Sequence, residues 1–165
     1  MKKRWLSLYV ENDVGVLAHI SGLFAGKSYN MNSLTVGPTE DETVSRMTIG
    51  LISDDKTYEQ IIKQLNRCVE VIKVLDFTDT DKHLKELMFI KISDCTSQNM
   101  TDIFRIAQVF GVKVLDCDMS SVILECAQSE EQNDKLVRLM TKSYFSRVEV
   151  VRGGSVGVEK VLIRT

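Results

Sequence analysis

Residues 5–52 read WLSLYVENDVGVLAHISGLFAGKSYNMNSLTVGPTEDETVSRMTIGLI, and the changes of apolar period inside this stretch decide the fold. Trp5 to Val10 alternates, which places Leu6, Leu8 and Val10 on one face of a strand. The apolar positions then move to helical spacing at Val16, Leu17, Ile20, Leu23 and Phe24, with Asp13 as the expected N-cap. Asn30 to Val36 returns to a strand pattern that Gly37-Pro38 stops. Val44 to Ile52 alternates around Met47, Ile49 and Leu51 as a third strand.

Working outward, Tyr58, Ile61, Ile62 and Leu65 stripe a second helix, and Val69 to Phe77 reads as a fourth strand. The order is βαββαβ, a ferredoxin-like split βαβ arrangement. A polar run over 79–83 is the expected linker, and the pattern then repeats. Met88, Ile90 and Ile92 alternate; Met100, Ile103, Ile106, Ala107 and Phe110 are helical, with Gly111 closing the helix. Val112 to Met119 and Val122 to Ala127 read as strands, Leu136, Leu139 and Met140 stripe a helix, and Arg147 to Val151 closes as a strand. The fold class is therefore α+β, with two ferredoxin-like βαββαβ units in tandem. A four-stranded sheet with both helices on one side leaves its other face open. Trp5 and Tyr9 lie on that face in the first unit, which implies a further layer or a second chain.

Composition narrows the function. The 165 residues carry a formal charge of −2, so there is no electrostatic footprint for nucleic acid, and Lys2-Lys3-Arg4 reads as a solvated terminus. No apolar run approaches the ~20 residues of a membrane span. The chain enters a strand pattern at once, so no signal peptide and a cytoplasmic location are expected. Cys68, Cys95, Cys117 and Cys126 show no CxxC, and His19 and His83 are far apart, so reduced thiols and no metal site are expected. HExxH, P-loop and HxE…CxxC patterns are all absent. Gly153, Gly154 and Gly157 suggest a glycine-rich turn, but no helix follows it. In Asp116-Cys117-Asp118, alternation sends both carboxylates to water and Cys117 inward.

The turn between the first strand and first helix is the candidate site. The first N–H groups of a helix lack intrahelical partners and suit a small carboxylate. Gly15 lets a ligand approach the backbone, and the amides of Asn12 and Asn30 can each donate or accept. Asn30 lies at the far end of the helix, ~18 Å away for 12 residues. A two-fold dimer pairing the helices would bring one chain's turn to the other's Asn30-Met31, with Val16, Leu17 and Met31 lining an aliphatic pocket. The plainer alternative is that Gly15 only permits a tight turn and the two asparagines only cap backbone. The residues alone leave both open.

Several segments carry a family resemblance: Glu11-Asn12 with Gly15-Val16-Leu17, Gly22-Leu23-Phe24, Tyr29-Asn30-Met31, and SLTVGPT at 33–39 followed by SRMTI at 45–49. Together they resemble the N-terminal ACT domain of the small regulatory subunit of acetohydroxyacid synthase (acetolactate synthase). Glu86-Leu87 and an Arg-x-Gly at 152–154 look like that family's C-terminal domain, although Ala127-Gln128-Ser129 stands where relatives often carry Thr-Gly. The resemblance implies an ACT domain over 1–78 for effector binding and dimerisation, a linker over 79–83, and a C-terminal ferredoxin-like domain over 84–165. It implies no catalytic residue and no cofactor on this chain. Its partner is a large catalytic subunit holding thiamine diphosphate, Mg²⁺ and FAD, which this chain activates and makes sensitive to a branched-chain amino acid, valine first. By position, the effector-binding residues are Asn12, Gly15, Val16, Leu17, Asn30 and Met31. Ser28, Val14 and Asn32 depart from the family pattern beside that site. Three alternatives remain: a stand-alone ACT amino-acid sensor, an enzyme on a ferredoxin-like fold, and an RNA-binding sheet using Arg46 and Lys91.

Overall fold

A computed structural model describes residues 1–27, 29–143 and 147–161. Met1–His83 together with Ser155–Thr165 forms one compact unit, and Leu84–Gly154 forms the other. The first unit runs β1 (Lys2–Glu11), α1 (Val16–Gly26), β2 (Met31–Pro38), β3 (Val44–Ser53), α2 (Asp55–Leu65) and β4 (Val71–Asp76). Its antiparallel sheet has the order β2-β3-β1-β4, the split βαβ arrangement expected from the alternating and helical periods. β5 (Lys82–Ser93), α3 (Ser97–Phe110), β6 (Lys113–Cys117), β7 (Val122–Gln128), α4 (Glu130–Lys142) and β8 (Arg147–Glu159) follow. They build a second sheet ordered β6-β7-β5-β8, the same topology repeated.

Each unit has its own core. Leu6, Leu8 and Val10 of β1 and Met47, Ile49 and Leu51 of β3 meet Ile20 and Phe24 of α1 and Ile61 and Leu65 of α2. In the second unit Met88, Ile90 and Ile92 of β5 pack with Ile103, Leu124, Leu136 and Met140. A fully buried side chain of this size contributes roughly 1.5–3 kcal/mol, so the strand alternation fixes which face each helix covers. Helix ends are set locally. Asp54 caps α2 by accepting from the Thr57 N–H at 2.9 Å, and Ser129 accepts from Gln132 at the start of α4. Gly111 ends α3 in the left-handed region, as its position suggests.

Several expectations change. Lys2-Lys3-Arg4 is not a solvated terminus: it opens β1, and Arg4 is buried, donating to Asp55 and lying over the Tyr58 ring. Asp13 does not cap α1: Gly15 occupies the N-cap position, and Asp13 offers only its backbone carbonyl to Val16 N–H at 3.4 Å. Cys117 is exposed rather than inward, because β6 is an edge strand with every residue exposed and a register shift between Val114 and Asp116. Gly153, Gly154 and Gly157 do not form a turn but lie within the thirteen-residue β8. There Ser155 N–H donates to Ser33 Oγ at 3.0 Å, and Thr35 Oγ1 donates to the Ser155 carbonyl at 3.0 Å. Finally, the outer face of the first sheet is not bare, since Trp5, Ser7 and Thr48 are buried on it. Gly50 opposes Trp5 across the β1–β3 pair, and a Cβ there would sit 2.8 Å from the indole ring. Arg46 donates to Ser7 Oγ at 2.9 Å and stacks over Tyr9 and Phe77. That face therefore does not by itself call for a second chain. On the second sheet, by contrast, Leu87 and Val151 are exposed.

Two segments singled out separately in the second half meet in space. The buried Glu86 carboxylate accepts from Arg152 Nε at 3.0 Å and Nη2 at 2.9 Å, and from Asn133 Nδ2 at 3.0 Å. Arg152 also donates to Asp134 at 2.8 Å. Both carboxylates favour the charged guanidinium and raise its pKa against the opposing effect of burial. A two-point guanidinium–carboxylate pair is the arrangement that best compensates a buried charge.

Candidate functional site

The turn from β1 into α1 is built by backbone geometry. Gly15 has φ +93°, a left-handed conformation that side-chain-bearing residues rarely adopt, and no side chain caps the helix behind it. The first turn of α1 carries no acidic residue. His19 N–H closes the first helical bond on the Gly15 carbonyl at 2.8 Å. The N–H groups of Leu17 and Ala18 therefore face outward at the positive end of the helix without an intrahelical partner. Val14 is fully exposed and Leu17 half exposed beside them. This is a small anion-accepting surface with an aliphatic rim.

Asn12 sits at the strand end of the turn and is clamped from three sides. Its backbone N–H donates to the Thr43 carbonyl at 2.8 Å and its Nδ2 to the Glu42 carbonyl at 2.8 Å. The Ser45 hydroxyl donates to its Oδ1 at 2.9 Å. The β2–β3 hairpin that supplies these groups orders itself. Thr43 donates to Asp41 Oδ1 from its N–H at 2.9 Å and its hydroxyl at 2.6 Å, and Thr39 N–H bonds the Val44 carbonyl at 2.9 Å. The Thr43 bonds hold the Asp41 carboxyl below its usual range.

The six site residues are only partly together. Asn12, Gly15 and Leu17 share the exposed turn. Val16 points into the core with Ile20 and Phe24, so its side chain does not line an open surface. Asn30 is exposed and Met31 half-buried at the start of β2, beyond the other end of α1. Eleven helical residues put about 16 Å between those ends, so one chain does not bring the two halves onto one small ligand. Ser28, a departure from the family pattern, lies outside the described residues.

Sequence reading missed two features. The first is Ser45: it lies 33 residues from Asn12, and its membership of SRMTI was the only pointer to it. The second is a cleft of about 530 Å³ between the C-terminal half of α1 and the turn after α2. His19 Nδ1 and Glu70 Oε1 meet there at 2.9 Å, and the Glu70 carboxyl is lowered by its own backbone N–H and by His19. No spacing in the sequence signals that pair. Among the described residues, no group of three or more His, Cys, Asp or Glu side chains could hold a metal ion. No described helix is long and apolar enough to cross a membrane.

A βαββαβ unit whose first helix opens on a glycine turn without a side-chain cap has the organisation of an ACT domain, a regulatory module. A sequence model of the AHAS small subunit-like ACT domain matches residues 6–73, and one of the small subunit of acetolactate synthase matches residues 85–161. The chain is 35% identical to the acetolactate synthase small subunit of Aquifex aeolicus over 160 residues, covering 97% of this chain and 82% of the relative. It is 34% identical to the isozyme 3 small subunit of Escherichia coli, covering 96% of each. The crystal structure of the acetolactate synthase small subunit from Thermotoga maritima superposes with a TM-score of 0.87 at 28% identity, covering 99% of this chain and 100% of that one. This chain belongs to the family of acetolactate synthase small subunits.

Proposed function

We propose that this chain activates a large catalytic acetolactate synthase subunit and makes it sensitive to a branched-chain amino acid, valine first. Thiamine diphosphate, Mg²⁺ and FAD belong to that catalytic partner, and this chain contributes no reacting group. The ACT region over 1–78 binds the effector and forms a homodimer in the cytoplasm; 84–165 is the C-terminal domain of the subunit. One chain's Asn12, Gly15, Val16 and Leu17 and the other's Asn30 and Met31 complete the site, with the backbone of Val16 taking part rather than its side chain. The observation that carries this reading is the α1 start: left-handed Gly15, no side-chain cap and an exposed Leu17 beside it. A carboxylate placed there satisfies the outward N–H groups, while Asn12 and Asn30 serve the ammonium or the second oxygen.

Regulation is then a linkage between effector binding and the state of the complex: the effector shifts the complex only as far as it prefers one state over the other. The test is a titration of this chain into its cognate catalytic subunit with pyruvate as substrate, repeated with valine. The chain alone should form no acetolactate, the rate should rise with added chain, and valine should reverse the rise. A flat titration overturns the regulatory reading.

A further inference from the structure

We propose that the Ser45 hydroxyl is a positioning group for the effector site, presetting the Asn12 amide before ligand arrives. The proposal rests on the reading that Asn12 touches the effector.

The argument starts from what each atom can do. The Glu42 carbonyl can only accept, so the group 2.8 Å from it must be the Asn12 NH₂. That fixes the orientation of the amide, and its Oδ1 must face Ser45 at 2.9 Å. Oδ1 can only accept, so the Ser45 hydroxyl must donate. These two contacts use one amide N–H and one oxygen lone pair. One N–H and one lone pair remain for a ligand, on an amide whose plane no longer rotates.

The support behind this clamp is rigid. Ser45 is 6% exposed and sits in the ladder of β3, opposite Val10 on β1 and Pro38 on β2. The carbonyls of Glu42 and Thr43 come from a hairpin already held by Thr39, Asp41 and Thr43. Asn12 itself is on the exposed surface, where an unclamped side chain would sample several rotamers and lose that freedom on binding. Removing that loss in advance raises affinity without adding a contact to the ligand. Ser45 thus acts on the effector through Asn12.

The experiment is calorimetric titration of the full chain with L-valine, L-leucine and L-isoleucine, in parallel with thermal melting. Asn12→Ala should abolish measurable binding. Ser45→Ala should weaken it about three- to tenfold, the effect of one neutral hydrogen bond. Ser45→Thr, which keeps the hydroxyl, should bind like the unaltered chain. Melting of Ser45→Ala should stay close to that of the unaltered chain, which separates positioning from general damage. If Asn12→Ala loses binding while Ser45→Ala binds normally, the positioning role is overturned and the effector site stands. The role is equally overturned if Ser45→Thr binds as weakly as Ser45→Ala, or if Ser45→Ala melts far below the unaltered chain. If Asn12→Ala binds normally, or the unaltered chain binds none of the three amino acids, the effector reading itself falls.

Discussion

The two βαββαβ units begin their first helices in opposite ways. α1 starts behind Gly15 with no side-chain cap, whereas α3 starts behind Thr96 with a complete capping box. Thr96 accepts from Asn99 N–H at 3.2 Å, and the Asn99 side chain accepts from Thr96 N–H at 3.0 Å. The same topological position is therefore open in one unit and closed in the other. Replacing a capping side chain costs about 1 kcal/mol when alanine takes its place but only a few tenths with glycine, so Gly15 leaves the start of α1 open at little cost in stability. The lesson is that a duplicated fold can divide its labour through a single turn. The unit that gives up its cap retains unsatisfied donors for something else to satisfy.

Four substitutions or conditions test that contrast, in falling order of effect. Gly15→Asp should abolish effector binding, because it puts a fixed carboxylate where the ligand's should sit. It also places a Cβ at φ +93°, so the chain should lose about 1–3 kcal/mol of stability even though nothing lies within 4 Å of that Cβ. Calorimetry and thermal melting read the two effects separately; wild-type affinity would show that the open turn is not the site. Next, Asn30→Ala should weaken binding roughly ten- to a hundredfold if its contact involves a charged group. Titration with valine checks this, and unchanged affinity would remove the far end of α1 from the site.

Thr96→Ala should do the reverse of Gly15→Asp. It should cost about 1 kcal/mol of stability and leave effector affinity untouched. Chemical denaturation and calorimetry on the same sample check both halves; a lost affinity would erase the contrast between the units. The smallest effect is acid fraying. Asp54 caps α2 through the Thr57 N–H and hydroxyl, and these bonds hold its carboxyl below the usual range. A depressed folded value means the cap is fully present above the ordinary carboxylate range and is lost as pH falls through the lower, folded value. The Thr96 hydroxyl does not titrate. Between pH 5 and pH 3, corrected for intrinsic rates, amide exchange should therefore speed up at Thr57 and not at Asn99. Equal acceleration at both would show that charge does not distinguish the caps.

The elements were legible because their apolar periods were long and unmixed: Leu6, Leu8 and Val10 alternate, and Ile20 and Phe24 recur at helical spacing. What failed depended on conformation or on distant partners. Asp13 has the right chemistry for a cap, but the left-handed Gly15 places the helix start two residues later. The inward direction given to Cys117 assumed unbroken alternation, which the irregularity after Val114 removes. The glycines of β8 suggested a turn, whereas Ser155 is tied to Ser33 and Thr35 more than a hundred residues away. The candidate site was legible to the extent that Asn12, Gly15 and Leu17 share one exposed turn. The Val16 side chain faces the core while Leu17 beside it is exposed, because helical spacing alone does not say which of two adjacent apolar residues turns inward.

Trp5 has a further, optical consequence. It is the chain's single tryptophan, 7% exposed, and its indole lies across Gly50 with the Lys3 ammonium 5.1 Å from the ring centroid. Indole emission therefore comes from the first sheet alone, while the second unit contributes no such signal. A fluorescence melt followed at this wavelength records the first unit, and circular dichroism on the same sample records both units. The difference between the two curves gives the stability of the second half without cutting the chain.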